Sequence, residues 1–194
     1  MSTSPTSLPP FAILLLLASC GAPDAPATTA DTPPAVAEAA LIERGGYLVG
    51  IMGCNDCHSP KIMGPQGPQL DPDRLLSGYP AGQPLPPMPV NNDGWALMSM
   101  DLTAAVGPWG TSFAANLTSD ATGIGNWTEE QFFRAMREGK YKGLANSRMI
   151  LPPMPWPNFA KMSDEDLRAV FAFLKSTKPV RNIVPQPIPP VGVQ

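Results

Sequence analysis

The sequence predicts an all-α fold in which a few helices flank a long insertion rich in proline and glycine, and that insertion could contain a small β-hairpin. Three stretches carry apolar residues at helical spacing, whereas no run is typical of a buried parallel strand. The 194 residues include 26 prolines, so the backbone between the helices must be mostly turn or extended. With 43% apolar and 15% charged residues the chain can bury a core, which argues against wholesale disorder and a multi-span membrane protein.

The first helix is predicted from about Val36 to Met52. Gly45 and Gly46 lie in its middle, where each glycine costs roughly 1 kcal/mol relative to alanine. We therefore expect another helix to pack closely at this point. The apolar positions that recur at helical spacing are Leu41, Ile42, Leu48 and Val49.

Two further helices have recognisable ends. Thr128 can cap the second helix while Gln131 reaches back to it, and Gly139 ends it. Ser163 begins the third helix, acidic residues follow in its first turn, and Pro179 lies just beyond its end. The apolar positions that the third helix should bury are Leu167, Val170, Phe171 and Leu174.

Residues 61–115 form the long insertion, which holds nine prolines and seven glycines. A loop of this length is unusual inside a compact domain unless it wraps a ligand. Residues 95–100 could form one arm of a small hairpin. The aromatic side chains that we expect to pack as part of a cover over the ligand are Trp95, Trp109 and Phe113.

The chain begins with features of an exported protein. Residues 11–20 are apolar but shorter than the roughly 20 residues that span a bilayer, so residues 1–19 are predicted to be a signal peptide. Their end resembles a bacterial lipobox, which predicts lipidation of Cys20; an ordinary signal peptide with an incidental cysteine is the alternative. Residues 20–36 would then be the lipidated cysteine and a flexible tether, and residues 182–194 a Pro-rich tail.

Two counts exclude classes of function. The net charge is −3, but residues 41–181 carry 13 acidic and 13 basic side chains and are near neutral. Without a cluster of Lys and Arg there is no electrostatic footprint for nucleic acid, which we exclude as a partner. His58 is the only histidine, so a site that needs two imidazoles from this chain, including bis-histidine haem, is also excluded.

The segment Cys54-Asn55-Asp56-Cys57-His58 is a Cys-x-x-Cys-His box, the sequence that attaches c-type haem covalently. Two thiols on one turn can add to the two vinyl groups of a porphyrin, and the adjacent imidazole is then held under the iron. The sequence therefore predicts haem c, with iron, bound by Cys54, Cys57 and His58. Because covalent haem attachment occurs outside the cytoplasm, the box agrees with export.

Three other interpretations of the box compete. A structural zinc site needs four nitrogen or sulfur ligands, and beyond the box the chain offers only Cys20. A thioredoxin-like dithiol needs a strand-turn-helix context that the sequence does not predict. A simple disulfide would leave the single histidine of the chain unexplained.

The sixth ligand of the iron decides between electron transfer and ligand chemistry. Ten methionines are candidates, and Met154 stands apart because prolines surround it in residues 151–157. Prolines restrict the backbone in advance, so the thioether can be presented at low entropic cost. We predict Met154 as the ligand and Met149 as the main alternative; a surface polyproline segment is the third interpretation. Possible donors to a haem propionate are Tyr79, Trp109 and Arg74.

Several segments together resemble bacterial class I cytochromes c, and especially the haem domains in cytochrome subunits of membrane-bound alcohol and aldehyde dehydrogenases. The segments are Arg44–Val49, the haem box, 116–118 with 123–128, 153–156 and 162–167. The resemblance covers about residues 41–181. It implies a class I cytochrome c fold over residues 37–181, in which the first and last helices cross.

The resemblance also assigns roles to individual residues. It implies that His58 and a methionine ligate the iron, and Met154 falls where the family keeps its axial methionine. At the helix crossing, Gly45 and Tyr47 would meet an aromatic residue of the last helix, Phe171 or Phe173.

The leading functional hypothesis is a lipid-anchored carrier of single electrons with one haem c, held on the periplasmic or outer face of a bacterial membrane. It is not an enzyme, and its partners would be redox proteins and, through Cys20, the membrane. A cytochrome subunit of a membrane dehydrogenase complex is the alternative. A haem enzyme or gas sensor with an open distal site is less favoured because the chain has no distal histidine, and a cofactor-free lipoprotein would leave the box unexplained.

Overall fold

The computed structural model describes Met1 and residues 34–87 and 94–190. Within these residues the chain forms five α-helices and two small antiparallel sheets. The helices are α1 (Pro34–Ile51), α2 (Cys54–His58), α3 (Glu129–Glu138), α4 (Trp156–Phe159) and α5 (Asp164–Ser176). The strands are β1 (Lys61–Gly64), β2 (Gly67–Leu70), β3 (Leu97–Met98), β4 (Ala104–Gly107) and β5 (Gly110–Phe113).

Helices α1 and α5 pack against each other through two adjacent glycines of α1, Gly45 and Gly46. A Cβ on Gly45 would overlap the carbonyl oxygen of Ala169, and one on Gly46 would lie 3.0 Å from the ring of Phe173. The expected close approach of a second helix is confirmed, with Phe173 as the aromatic partner of the glycines. Tyr47 instead is 59% exposed, and the guanidinium of Arg44 lies over its ring.

The ends of α3 and α5 follow the predicted capping residues. The Thr128 hydroxyl accepts a hydrogen bond from the backbone amide of Gln131. The side chain of Gln131 in turn accepts one from the backbone amide of Thr128. Gly139 ends α3 in the left-handed region, at φ 64°. Ser163 caps α5 by accepting from the amide of Asp166. These predictions are confirmed. They could be made from the sequence because each cap depends on residues only a few positions apart.

An apolar cluster joins α1, α3 and α5. The rings of Phe132 and Phe171 stack with centroids 5.1 Å apart across α3 and α5. Residue Leu76, which follows the haem box along the insertion, is buried in the same cluster. Other buried members are Leu48, Val49, Ile124, Met136, Leu167, Val170 and Leu174.

The prediction of an all-α fold is wrong for the chain as a whole, because residues 61–115 contain two small sheets. One is the hairpin of β1 and β2, in which Gly67 has a φ of 114°. The other has the order β3-β4-β5. Its first strand lies in residues 95–100, so the predicted hairpin arm is confirmed, while Trp95, which we expected to pack, is 69% exposed.

The C-terminal residues up to 190 are joined to this second sheet. Thr111 and Ile188 exchange backbone hydrogen bonds of 2.8 and 3.0 Å, so the Pro-rich segment extends the sheet locally. The predicted signal peptide and Cys20 lie outside the described residues. Among the helices that are described, none has the length and apolar composition needed to cross a membrane.

Candidate haem site

Helix α2 is a five-residue helix made entirely of the Cys-x-x-Cys-His box. Gly53, with a φ of 67°, separates it from α1 and allows the chain to change direction. Residues three apart on a helix share a face, so the thiols of Cys54 and Cys57 lie on the same side of one turn. Both thiols are free. Burial raises the pKa of Cys54 to about 11 and also raises that of Cys57, so both are protonated at neutral pH.

The imidazole of His58 is buried and has a fixed tautomer. Its Nδ1 lies 2.7 Å from the carbonyl oxygen of Ala115, which can only accept a hydrogen bond, so Nδ1 carries the proton. The lone pair of Nε2 is therefore available to a metal, and no hydrogen-bond partner faces Nε2 among the described residues. Burial lowers the pKa of His58, so the neutral imidazole, the form that binds iron, is favoured.

Two backbone segments form hydrogen bonds with His58 and with Ser59, the next residue. The amide of Gly78 donates to the carbonyl of His58 at 2.7 Å, and the amide of Leu76 donates to the hydroxyl of Ser59 at 2.7 Å. Ala115 supplies the acceptor for the ring. Sequence reasoning missed Gly78 and Ala115, because a backbone acceptor leaves no mark in the sequence and Gly78 is one of many glycines in the insertion.

Lys61 binds the C-terminal end of α2. Its ammonium group donates to the carbonyl oxygens of Asn55, Asp56 and Ser59, the last at 2.9 Å. A cation at this end compensates the negative pole of the helix dipole. Burial lowers the pKa of Lys61, although the carboxylate of Asp101 opposes that effect. The positive charge therefore lies directly beside the haem box.

Met154 is half-buried and packs against the apolar cluster that also contacts Cys54. Its loop is tied to β5, since the hydroxyl of Ser112 donates to the carbonyl of Pro152 at 2.6 Å. Met149, the alternative ligand, is 43% exposed and is bridged to Lys140 at the base of the same loop. This burial favours Met154 over Met149 as the residue that can reach a buried group.

The three candidate donors to a propionate already donate within the chain. The hydroxyl of Tyr79, which is 1% exposed, donates to the carbonyl of Gln83 at 2.6 Å. Trp109 donates to the Ser112 hydroxyl at 3.2 Å. Arg74 donates to Asp71 at 2.7 Å. The single donors of Tyr79 and Trp109 are therefore already used within the chain, whereas Arg74 has further N–H groups on its guanidinium. Phe113 packs on Tyr79 with ring centroids 4.7 Å apart.

The donor set fits covalently bound haem. Cys54 and Cys57 present two free thiols on one turn, and His58 next to them presents an unpaired ring nitrogen in its neutral form. Met154 adds a half-buried thioether on the same core. These residues can hold a porphyrin at its edge and at its iron.

The chain is similar in sequence to subunits of bacterial dehydrogenases. It is 35% identical to the cytochrome c subunit of a quinone-dependent alcohol dehydrogenase of Gluconobacter oxydans, over 74% of this chain and 23% of the relative. It is 32% identical to a gluconate 2-dehydrogenase cytochrome c subunit of Pantoea cypripedii, over 73% of this chain and 24% of the relative. One of the subunits of the nicotinate dehydrogenase of Pseudomonas putida is 32% identical over 79% of this chain and 10% of the relative.

These relatives are much longer than the region they share with this chain. The matched region spans about a quarter or less of each of the three. No family model matches the chain.

Proposed function

Since the chain belongs to the c-type cytochromes, alongside the cytochrome c subunits of bacterial dehydrogenases, we propose that it accepts single electrons from such a dehydrogenase through one covalently bound haem c. The observation that carries this proposal is the geometry of His58. Its ring is buried, neutral and anchored through Nδ1, and it directly follows two free thiols on one helical turn. The chain itself makes and breaks no bonds of a substrate.

Each residue of the site has a separate task. Cys54 and Cys57 would hold the haem through two thioether bonds, each formed by addition of a thiol S–H across a vinyl group. His58 would bind the iron through Nε2. The haem, when bound, supplies a one-electron couple at its iron. Met154 would be the second ligand of the iron from this chain, and a thioether ligand would favour the ferrous state and so raise the reduction potential.

The names of the relatives support a dehydrogenase subunit, the alternative hypothesis from the sequence, over a lipid-anchored carrier that is not part of a complex. The relatives in Gluconobacter oxydans, Pantoea cypripedii and Gluconobacter japonicus are all named as cytochrome subunits of dehydrogenases. A catalytic dehydrogenase subunit is therefore the proposed electron donor. The proposal also keeps the exported location, with Cys20 as a lipid anchor, because covalent haem attachment takes place outside the cytoplasm.

Optical spectra of the haem-loaded full chain test the axial ligands. We expect a charge-transfer band from methionine to ferric iron in the wild type, its loss in Met154→Ala and its retention in Met149→Ala. Loss in Met149→Ala alone would move the assignment to Met149. A high-spin wild type that binds carbon monoxide readily would contradict His58/Met154 ligation and would instead indicate a haem enzyme or sensor.

Covalent attachment and electron transfer need their own measurements. In a denaturing gel stained for haem, the wild type should retain the group, whereas a double variant, Cys54→Ala with Cys57→Ala, should lose it. Reduction of the purified cytochrome by a quinone-dependent dehydrogenase with its substrate should then be followed by stopped flow. A cytochrome that holds haem but is not reduced by any dehydrogenase of the classes named among its relatives would contradict the proposed donor.

A further inference from the structure

The segment that begins at Asn116 contributes to the family resemblance but has no part in the proposed chemistry. In the structure it continues from Ala115, the acceptor of the His58 hydrogen bond. Residues 114–117 lie beside residues 76–79, because the amide of Tyr79 donates to the carbonyl of Ala114 at 2.9 Å. The amide of Leu117 donates to the carbonyl of Leu76 at 2.8 Å. His58 is thus bound by two backbone segments that are hydrogen-bonded to each other.

Asn182, in the predicted Pro-rich tail, binds the first of these segments. Its side-chain Nδ2 donates to the carbonyl oxygens of Ser77 at 2.7 Å and of Tyr79 at 2.8 Å. Its Oδ1 accepts from the amide of Ala81 at 2.8 Å. One amide side chain therefore fixes three backbone groups on both sides of Gly78, whose own amide donates to His58.

Asn116 binds the C-terminal segment to the second backbone segment. It is 5% exposed, and its Nδ2 donates to the carbonyl of Val180 at 2.8 Å and to the hydroxyl of Thr122 at 3.1 Å. The same hydroxyl accepts from the amide of Asn182 at 2.9 Å. Residues 180–182 are therefore bonded to both segments that hold the imidazole.

We propose that Asn182 is a positioning residue for His58. It holds residues 77–81 against the C-terminal segment. Asn116, the residue next to Ala115, binds the same C-terminal segment, so Asn182 helps to keep the Ala115 carbonyl directed at Nδ1. This inference rests on the proposed function, because it needs His58 to be the iron ligand. A strong hydrogen bond from Nδ1 makes the imidazole a better donor and favours ferric iron, so a weaker bond raises the reduction potential.

The experiment compares Asn182→Ala and Asn182→Asp with Asn126→Ala in the haem-loaded full chain. Asn126, in residues 123–128, is an exposed asparagine, and no hydrogen bond joins its side chain to another of the described residues. In the reduced protein, NMR should show the His58 Nδ1 proton exchanging with water about tenfold faster in both Asn182 variants, as expected for weakening of a hydrogen bond by roughly 1.4 kcal/mol. The midpoint potential should rise in both, and Asn126→Ala should match the wild type in both measurements.

The outcomes separate positioning from stability. If thermal unfolding shows that the Asn182 variants are destabilised while Nδ1 exchange and potential stay at wild-type values, Asn182 is only structural and the proposal is wrong. If Asn182→Ala does not fold, Asn182→Asp decides, because it keeps the size of the side chain and the acceptor for Ala81 while losing both donated bonds. A wild type whose iron is not bound by His58 overturns the proposed function as well, whereas unaffected variants overturn only this inference.

Discussion

A Cβ on Gly78 would lie 2.6 Å from the carbonyl oxygen of Ala115, the acceptor of the His58 hydrogen bond. Gly78 also has a φ of 77°, a conformation that residues with a side chain rarely adopt. Glycine is required at this position for two reasons, one conformational and one steric. The steric reason connects it to the haem site, since a side chain would displace the acceptor of the proximal histidine.

We expect Gly78→Ala to disturb His58 as well as the fold. Gly82→Ala is the matched control, because Gly82 has a φ of 81° but no atom within 4 Å of the position that a Cβ would take. Both variants should have a free energy of unfolding about 1–2 kcal/mol lower than the wild type, because alanine is disfavoured in the left-handed conformation. Only Gly78→Ala should also accelerate exchange of the His58 Nδ1 proton. Equal effects on exchange in the two variants would contradict the steric role.

Helix α1 provides a second matched pair of glycines, Gly45 at its contact with α5 and Gly50 away from that contact. Gly45→Ala should destabilise the protein by about 3 kcal/mol, because its Cβ would overlap the carbonyl oxygen of Ala169. Gly50 lies exposed in the same helix with nothing within 4 Å, so Gly50→Ala should be neutral or stabilise by up to about 1 kcal/mol. Urea unfolding at equilibrium checks both; a tolerated Gly45→Ala would contradict the close helix contact.

The parts of the fold that the sequence predicted are those encoded locally. The capping of α3 by Thr128 and the end of that helix at Gly139 involve neighbours in sequence, and they appear as expected. Strands β4 and β5 were harder, because both are almost wholly buried and so show no alternation of apolar and polar residues. A four-residue strand without alternation cannot be told from a loop by periodicity.

The haem site was predictable only in its covalent part. Cys54, Cys57 and His58 are adjacent in sequence, so their chemistry follows from spacing alone. The hydrogen bond to Ala115 joins residues 57 positions apart through a backbone carbonyl, which any residue could supply. Asn182 was hidden for another reason: it lies in a segment whose proline content predicts a passive tail, although its side chain makes three hydrogen bonds to the backbone.

Removal of the cation beside the haem box should lower the reduction potential. Lys61 donates to three carbonyls at the end of α2, so Lys61→Met removes a positive charge that disfavours ferric iron. We expect a fall of less than about 59 mV, the value for a tenfold change in a one-electron equilibrium. Lys142→Met, at an exposed lysine, is the control. A spectroelectrochemical titration measures the midpoint potentials. Equal shifts in Lys61→Met and Lys142→Met would show that the potential depends only on the net charge of the protein and not on the position of Lys61.

The ion pair of Asp71 with Arg74 should make stability depend on pH in acid. The hydrogen bond from Arg74 lowers the pKa of Asp71 below its ordinary value of 3.8, and the amide of Asp73 contributes further. Because the folded pKa is the lower one, the unfolded chain takes up this proton first. The carboxylate therefore stabilises the fold above pH 3.8, and that contribution is lost as the pH falls through the folded pKa.

Asp71→Asn removes this titrating group. The difference in the free energy of unfolding between the wild type and the variant should therefore become smaller in acid. Urea unfolding at neutral pH should show the variant to be less stable than the wild type, and the difference should shrink as the pH falls below 3.8. Asp73→Asn is the control, since Asp73 pairs with Lys178 at 3.3 Å with both side chains at least 70% exposed, and such pairs contribute little. A difference between wild type and Asp71→Asn that stays constant from neutral to acid pH would show that Asp71 acts through its shape and hydrogen bonds rather than through its charge.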